Sequence, residues 1–302
     1  MPEIDTTSDI IEHKKRAPSK DPLKERDSLQ DKPFAVYEPS KGLSLKLKEL
    51  LEFHELIYFL TWRDLKVRYK QTALGVIWAV LQPFLTMVVF TIFFGNLAKI
   101  QSDGVPYPIF SFAALLPWQF FANSVTNSSN SLVNNSGLIT KIYFPRLAMP
   151  LSSILGGLVD FAVAFIVFIC MMIYYDIKPT LAILSLPLFI LLAVATSFAI
   201  SLWLSAINVK YRDVRYTIPF LTQLWLFLTP IAYPSSLVPE KWRVIYGLNP
   251  MAGVVEGFRW ALLGQTGQDW ALITASIVIV IVLLIGGLIY FKRMERTFAD
   301  II

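Results

Sequence analysis

Five stretches of the chain carry no charged side chain at all: residues 71–98, 104–140, 179–209, 216–239 and 270–291. A sixth, 147–175, carries only Asp160. Charge-free runs of this length have few homes. The hydrocarbon core of a bilayer is about 30 Å thick, and a helix needs about 20 apolar residues to cross it. Each run meets that length, so the pattern predicts an all-α polytopic membrane protein with six spans, near 74–97, 107–131, 149–174, 181–207, 217–234 and 270–291.

Composition agrees. Only 16% of the 302 residues are charged, against about 25% in an ordinary soluble domain. The single cysteine, Cys170, excludes an internal disulfide and a thiolate metal cluster. His13 and His54 lie far apart before the first run, so no metal site is expected, and no cofactor within this chain. Residues 1–40 hold seven Lys/Arg, nine Asp/Glu and five prolines with few large apolar side chains. They lack the short apolar core of a secretory signal. They also have too little to bury to offset ordering entropy, so a disordered or loosely ordered cytoplasmic tail is expected there.

Lys and Arg collect on the cytoplasmic side of membrane proteins. With both termini inside, the inner segments hold 22 of the 27 Lys and Arg, and the outer ones hold Lys99, Lys178, Lys241, Arg243 and Arg259. Leaving out residues 1–40, the bias is still 15 to 5. Both termini are therefore expected in the cytoplasm.

Span two is unusual. Its inner half runs Asn123-Ser-Val-Thr-Asn-Ser-Ser-Asn-Ser-Leu-Val-Asn-Asn-Ser136. Amides and hydroxyls avoid lipid tails and face other helices or a wet cavity, so the span is read either as bonded to its neighbours or as lining a polar path.

Residues 41–72 read as an amphipathic interfacial helix. Leu43, Leu47, Leu50, Leu51, Ile57 and Tyr58 follow helical spacing, with Lys46, Glu49, Glu52 and Glu55 opposite. Farther on, Trp62, Leu65 and Tyr69 share one face, and Arg63, Lys66 and Lys70 share another. A basic, aromatic helix before a span belongs at a membrane surface. It serves there as a positive-inside anchor or as a docking surface for an anionic lipid-linked substrate or a partner.

The loop Leu138–Arg146 presents Ile142, Tyr143 and Phe144 beside Lys141 and Arg146. Three bulky apolar residues exposed on a cytoplasmic loop suggest a buried contact with another protein; the alternative is packing on the chain's own interfacial helix. Between 235 and 269 two short helices are expected. Pro239 and Gly247 bound the first, and Asn249, Pro250 and Gly264 bound the second, with Glu256 and Arg259 on it. Too short and too charged to span, they suit an outer gate dipping part-way into the membrane.

There is no GxxxxGK[ST] loop, no HExxH and no GxSxG, so the chain does not cradle ATP phosphates by the P-loop route. Asp160 is the one acid well inside a span and is a functional candidate for that reason; the alternatives are a place near a water-filled groove or hydrogen bonds from the hydroxyls of span two. A coupled carrier usually needs more such groups. Energy is therefore expected from another polypeptide; the reading as a transport permease and not an enzyme comes with the resemblance carried by the segments that follow.

Five segments carry a further resemblance: Thr61-Trp-Arg-Asp-Leu-Lys-Val-Arg-Tyr-Lys-Gln-Thr-Ala-Leu-Gly-Val-Ile-Trp78, Leu138-Ile-Thr-Lys-Ile-Tyr-Phe-Pro-Arg146, Asn208-Val-Lys-Tyr-Arg-Asp-Val214, Thr229-Pro-Ile-Ala-Tyr-Pro234, and Val238-Pro-Glu-Lys-Trp-Arg243 leading into Leu248-Asn-Pro-Met251. In this order between the expected spans, they make the chain resemble the membrane subunit of polysaccharide ABC exporters of the type-two superfamily. The likeness covers about residues 50–295.

The resemblance implies a homodimer in the bacterial inner membrane, working with two copies of a separate ATPase that holds ATP and Mg. Spans one, two and five would border a central channel. The cargo would be an undecaprenyl-pyrophosphate-linked glycan of the O-antigen kind, with teichoic-acid, capsule, or drug and small-lipid export as alternatives; nucleic acid has no place in it. The pyrophosphate would meet Arg63, Lys66, Arg68 and Lys70. Lys141, Ile142, Tyr143, Phe144 and Arg146 would contact the ATPase. Sugars would pass Tyr107, Trp118, Phe120, Phe121, Trp225 and Tyr233, unless these are belt or packing aromatics. Pro250, Glu256 and Arg259 would belong to the outer gate. A lipid-linked glycosyltransferase would need clustered acids at a membrane face, and none is present.

Overall fold

The computed structural model describes residues 52–70, 75–264 and 269–301. The expectations for the 1–40 tail and for residues 41–51 of the interfacial helix lie outside these. All regular structure among the described residues is helical.

Helix α1 (His54–Lys70) precedes α2 (Gly75–Phe90), which widens into a π-helical stretch, Thr91–Leu97. Then come α3 (Tyr107–Asn134), the single turn α4 (Ser136–Ile139) and α5 (Ala148–Tyr174). A 3-10 segment, Leu181–Ser185, leads into α6 (Leu186–Lys210). The chain continues through α7 (Val214–Leu228), α8 (Glu240–Tyr246), α9 (Pro250–Leu263) and α10 (Trp270–Ile301).

Four stretches among the described residues are long and apolar enough to cross a membrane: Ile77–Leu97, Ala148–Tyr174, Leu181–Lys210 and Trp270–Phe298. Their outward side chains, among them Ile166, Ile173, Leu188, Leu191, Val282 and Ile285, are exposed. Water would not tolerate such a surface, and lipid does.

Helix α3 is the hub. It packs on α2, α5, α6, α7 and α9, and Ile109 through Leu116 are buried. Its 28 residues reach about 42 Å, long enough to span, with an inner half too polar to face lipid. Interhelical bonds absorb part of that polarity. Ser128 Oγ donates to the Pro150 carbonyl of α5 at 3.0 Å, and Asn208 Nδ2 of α6 donates to the Ser129 carbonyl at 3.0 Å. Thr126 and Asn130 bond back to carbonyls four residues earlier on α3 itself.

The fifth expected span, 217–234, is helical only in its first part. Helix α7 stops at Leu228 after 15 residues, about 22 Å of rise. Thr229 turns to an extended conformation, and Thr229, Ile231 and Ala232 lie buried in an irregular turn.

The core has two parts. The larger gathers α3, α5, α6 and α9. The smaller joins Ile57 and Leu60 of α1 to Leu132, Ile139, Phe144, Leu202, Phe291 and Phe298, so one face of α1 is bound to the bundle while Tyr58 and Trp62 stay exposed. The second of the two short helices expected between 235 and 269 begins and ends as expected. Asn249 caps α9 by accepting from Met251 N at 3.1 Å, Pro250 opens it, and Gly264 closes it at φ +64°, left-handed. In the first, Pro239 is the N-cap and the helix begins at Glu240.

Candidate functional site

Asp160 of α5 accepts hydrogen bonds from the Arg68 guanidinium and the Tyr69 hydroxyl, both in the last turn of α1. Hydroxyls of α3, considered as its partners from the sequence, are not the groups that hold it. Burial and the bond to Asp160 push the Tyr69 phenol well above its ordinary range, so it remains a donor at any physiological pH.

Arg68 and Asp160 of this cluster line one side of a cavity of about 340 Å³. Trp78 and Gln82 of α2, Gln119, Phe120, Asn123 and Asn127 of α3, and Gly157 of α5 line the rest. Gln119, Asn123 and Asn127 recur every fourth residue and fall on one helical stripe.

The basic stripe on α1 is partly spent. Arg63 pairs with Asp64 at 2.8 Å and donates to Asn135 Oδ1 at 2.8 Å; Arg68 is held by Asp160. The Lys66 ammonium lies 5.6 Å from the Trp62 ring centre. Lys66 and Lys70 are exposed.

The 138–146 loop divides differently from the expectation of three exposed apolar residues. Ile142 and Tyr143 are exposed, at 59% and 66%. Phe144 is buried at 5%, because it enters the smaller core beside Ile57 and Leu60 of α1. Lys141 is exposed. Arg146 is anchored on α10: its guanidinium donates to the Glu295 carbonyl and sits 5.9 Å from the Phe298 ring centre. The loop therefore has a projecting tip, 141–143, on a fixed base.

On α9, Arg259 is 1% exposed and fills several roles. It donates to the Ile231 carbonyl at 2.7 Å, to the Tyr233 carbonyl at 3.4 Å and to Glu256 Oε1 at 3.4 Å. It also lies 3.7 Å from the Phe110 ring centre. Burial raises the Glu256 carboxyl above its usual range, and Arg259 pulls it back. Pro250 is buried at the start of the same helix. The pair thus acts on the backbone of the irregular 229–233 turn.

Of the six aromatics marked in the sequence, Phe120 borders the cavity. Trp118 and Phe121 are packed inside, and Phe121 meets Trp225 edge-to-face at 5.4 Å. Tyr107 donates from the interior to the Ala232 carbonyl at 2.6 Å, and Trp225 Nε1 donates to Asn249 Oδ1 at 2.9 Å. Tyr233 and Tyr246 share a hydroxyl–hydroxyl bond at 2.5 Å.

Sequence reasoning missed Tyr69, Asn135 and Glu295 as partners, and Gln82 and Gln119 as cavity residues. The i, i+4 recurrence of Gln119, Asn123 and Asn127 was the available signal for the stripe.

The family profile described as ABC-2 type transporter matches residues 55–263. An O-antigen export system permease protein, RfbA, of Klebsiella pneumoniae is 32% identical over 263 residues, 86% of this chain and 100% of the relative. An RfbA protein of Myxococcus xanthus is 28% identical over 257 residues, covering 84% and 98%. The polysialic acid transport protein KpsM of Escherichia coli is 24% identical over 243 residues, covering 77% and 91%.

Proposed function

The chain belongs to the ABC-2 type transporter family, and from that membership we propose that it is the transmembrane subunit of an ATP-driven exporter carrying a polysaccharide of the O-antigen kind across the bacterial cytoplasmic membrane. It is a multi-pass protein of that membrane. In this reading α3, and α7 with the turn after it, complete six spans, with both termini in the cytoplasm on the charge bias of the segments. Two copies of the chain form a path between them. Two copies of a separate ATPase supply the work and hold ATP and Mg, since this chain has no phosphate-cradling loop of its own.

The cargo is a glycan linked to undecaprenyl pyrophosphate. Lys66 and Lys70 meet the pyrophosphate first, with Arg63 and Arg68 behind them once their carboxylate partners give way. The 141–143 tip takes the stroke of the ATPase, and Phe144 and Arg146 transmit it to α1 and α10. Sugars pass Phe120, Trp225 and Tyr233, with Tyr107, Trp118 and Phe121 supporting them. Pro250, Glu256 and Arg259 hold the outer gate.

The observation that carries the reading is the match to an O-antigen export permease over that relative's whole length. Deleting the gene tests it. Undecaprenyl-linked polymer trapped inside the cell, a surface bare of polysaccharide and rescue by the intact gene are expected. An unchanged surface glycan with no trapped polymer, in a strain without a second exporter, would refute it. A capsular polymer is the second reading, favoured by the polysialic acid transport relative; the sugars of the trapped polymer decide between the two.

A further inference from the structure

Four primary amides line the cavity between α2, α3 and α5 without a side-chain partner among the described residues. Gln119, Asn123 and Asn127 of α3 and Gln82 of α2 line it, and none of their side chains hydrogen-bonds to another described residue. Their neighbours behave otherwise: Asn130 and Asn135 donate to carbonyls of their own helix at 2.8 Å. Gln119 and Asn123 are half-buried and Gln82 and Asn127 exposed; each amide offers two donors and a carbonyl acceptor, and at membrane depth such groups need partners. Their convergence suits a ligand dense in groups that both donate and accept.

The other walls narrow the chemistry. Trp78 and Phe120 add aromatic faces, and Asp160 adds a carboxylate acceptor. Arg68 is the cation among the lining residues, and its charge is already matched by Asp160. A bare phosphate would find a nearly neutral wall. A sugar ring finds what it needs: amides and a carboxylate for adjacent hydroxyls, and an aromatic surface for the C–H face. A volume of about 340 Å³ falls at the small end of ligand sites, which run from about 300 to 1,000 Å³.

We propose that this cavity is a sugar-ring subsite, in which Gln82, Gln119, Asn123 and Asn127 bond the hydroxyls of the cargo glycan and Trp78 or Phe120 carries its apolar face. The proposal rests on the export reading above and adds a binding site to it. Glycan recognition then occurs within one protomer, beside the α1–α5 contact.

The test uses the full permease–ATPase complex in nanodiscs with two probes: a polyprenyl pyrophosphate bearing a hexose-containing oligosaccharide, and the same polyprenyl pyrophosphate without sugar. Asn123→Leu and Gln119→Leu remove the amides at nearly constant volume. Each is expected to weaken binding of the glycosylated lipid about ten-fold and to leave the sugar-free lipid unchanged, while Asn123→Gln, which keeps the amide, recovers part of the affinity. Undiminished binding of the glycosylated lipid by both leucine variants overturns the subsite. So does an equal loss for both lipids, which marks a structural role. A wild-type complex that binds neither lipid overturns the export reading, and the subsite with it.

Discussion

At the residue scale the Arg68–Asp160–Tyr69 cluster carries a sharp requirement. A carboxylate inside an apolar span needs partners, and here both come from another helix, so the cluster ties α1 to α5. The two charged side chains keep 32% and 18% exposure, and solvent screening discounts their attraction accordingly. A double-mutant cycle over Arg68→Met and Asp160→Asn should return a coupling of about 1 kcal/mol, read from denaturation of the purified protein; additive single effects would dissolve the tie. Tyr69→Phe should be milder than Asp160→Asn, because the carboxylate keeps Arg68. A lone acid in a charge-free run is visible by inspection, so Asp160 was legible in the sequence. Its partners were not, for they stand 92 and 91 residues away on a helix whose facing is set by packing.

At the scale of elements, the 138–146 loop separates two jobs between adjacent residues. Phe144→Ala should cost about 3 kcal/mol of stability, since it empties a place in the smaller core. Tyr143→Ala should leave the unfolding midpoint nearly unchanged and lower transport per ATP hydrolysed. Normal coupling in that variant would remove the tip's assigned role. Helix α9 depends on close approach instead. A Cβ at Gly257 would lie 2.1 Å from the Phe189 ring of α6. Gly257→Ala should therefore lower thermal stability, and adding Phe189→Ala should return part of it; no rescue would mean the two helices do not meet there. The ends of α9 were legible because its caps, Asn249 and Gly264, act within one turn of the chain. The end of α7 was not. The charge-free run continues to residue 239, and hydropathy does not register a turn whose carbonyls at 231 and 233 are satisfied by Arg259, 28 and 26 residues on.

At the scale of the whole molecule, the proposed six-span reading predicts alternating sidedness from the charge bias of the segments. Single-cysteine labelling in a Cys170→Ser background tests it at two exposed positions. Lys141→Cys should react only from the cytoplasmic side and Lys178→Cys only from the outside; labelling of both from one side would break the six-span reading. The all-helical architecture and four of the expected spans were readable because lipid imposes length and apolarity on a span. The cavity was harder to see, because its walls come from three helices and only the α3 stripe has a period. The central claim is ATP-driven glycan export through this chain, and reconstitution tests it most directly. Liposomes containing the permease with its ATPase, loaded with lipid-linked oligosaccharide, should move the sugar to the face opposite the ATPase, out of reach of a glycosidase added on the ATPase side, only when both proteins and ATP are present. Full ATP hydrolysis with the sugar still cleavable from the ATPase side would contradict it.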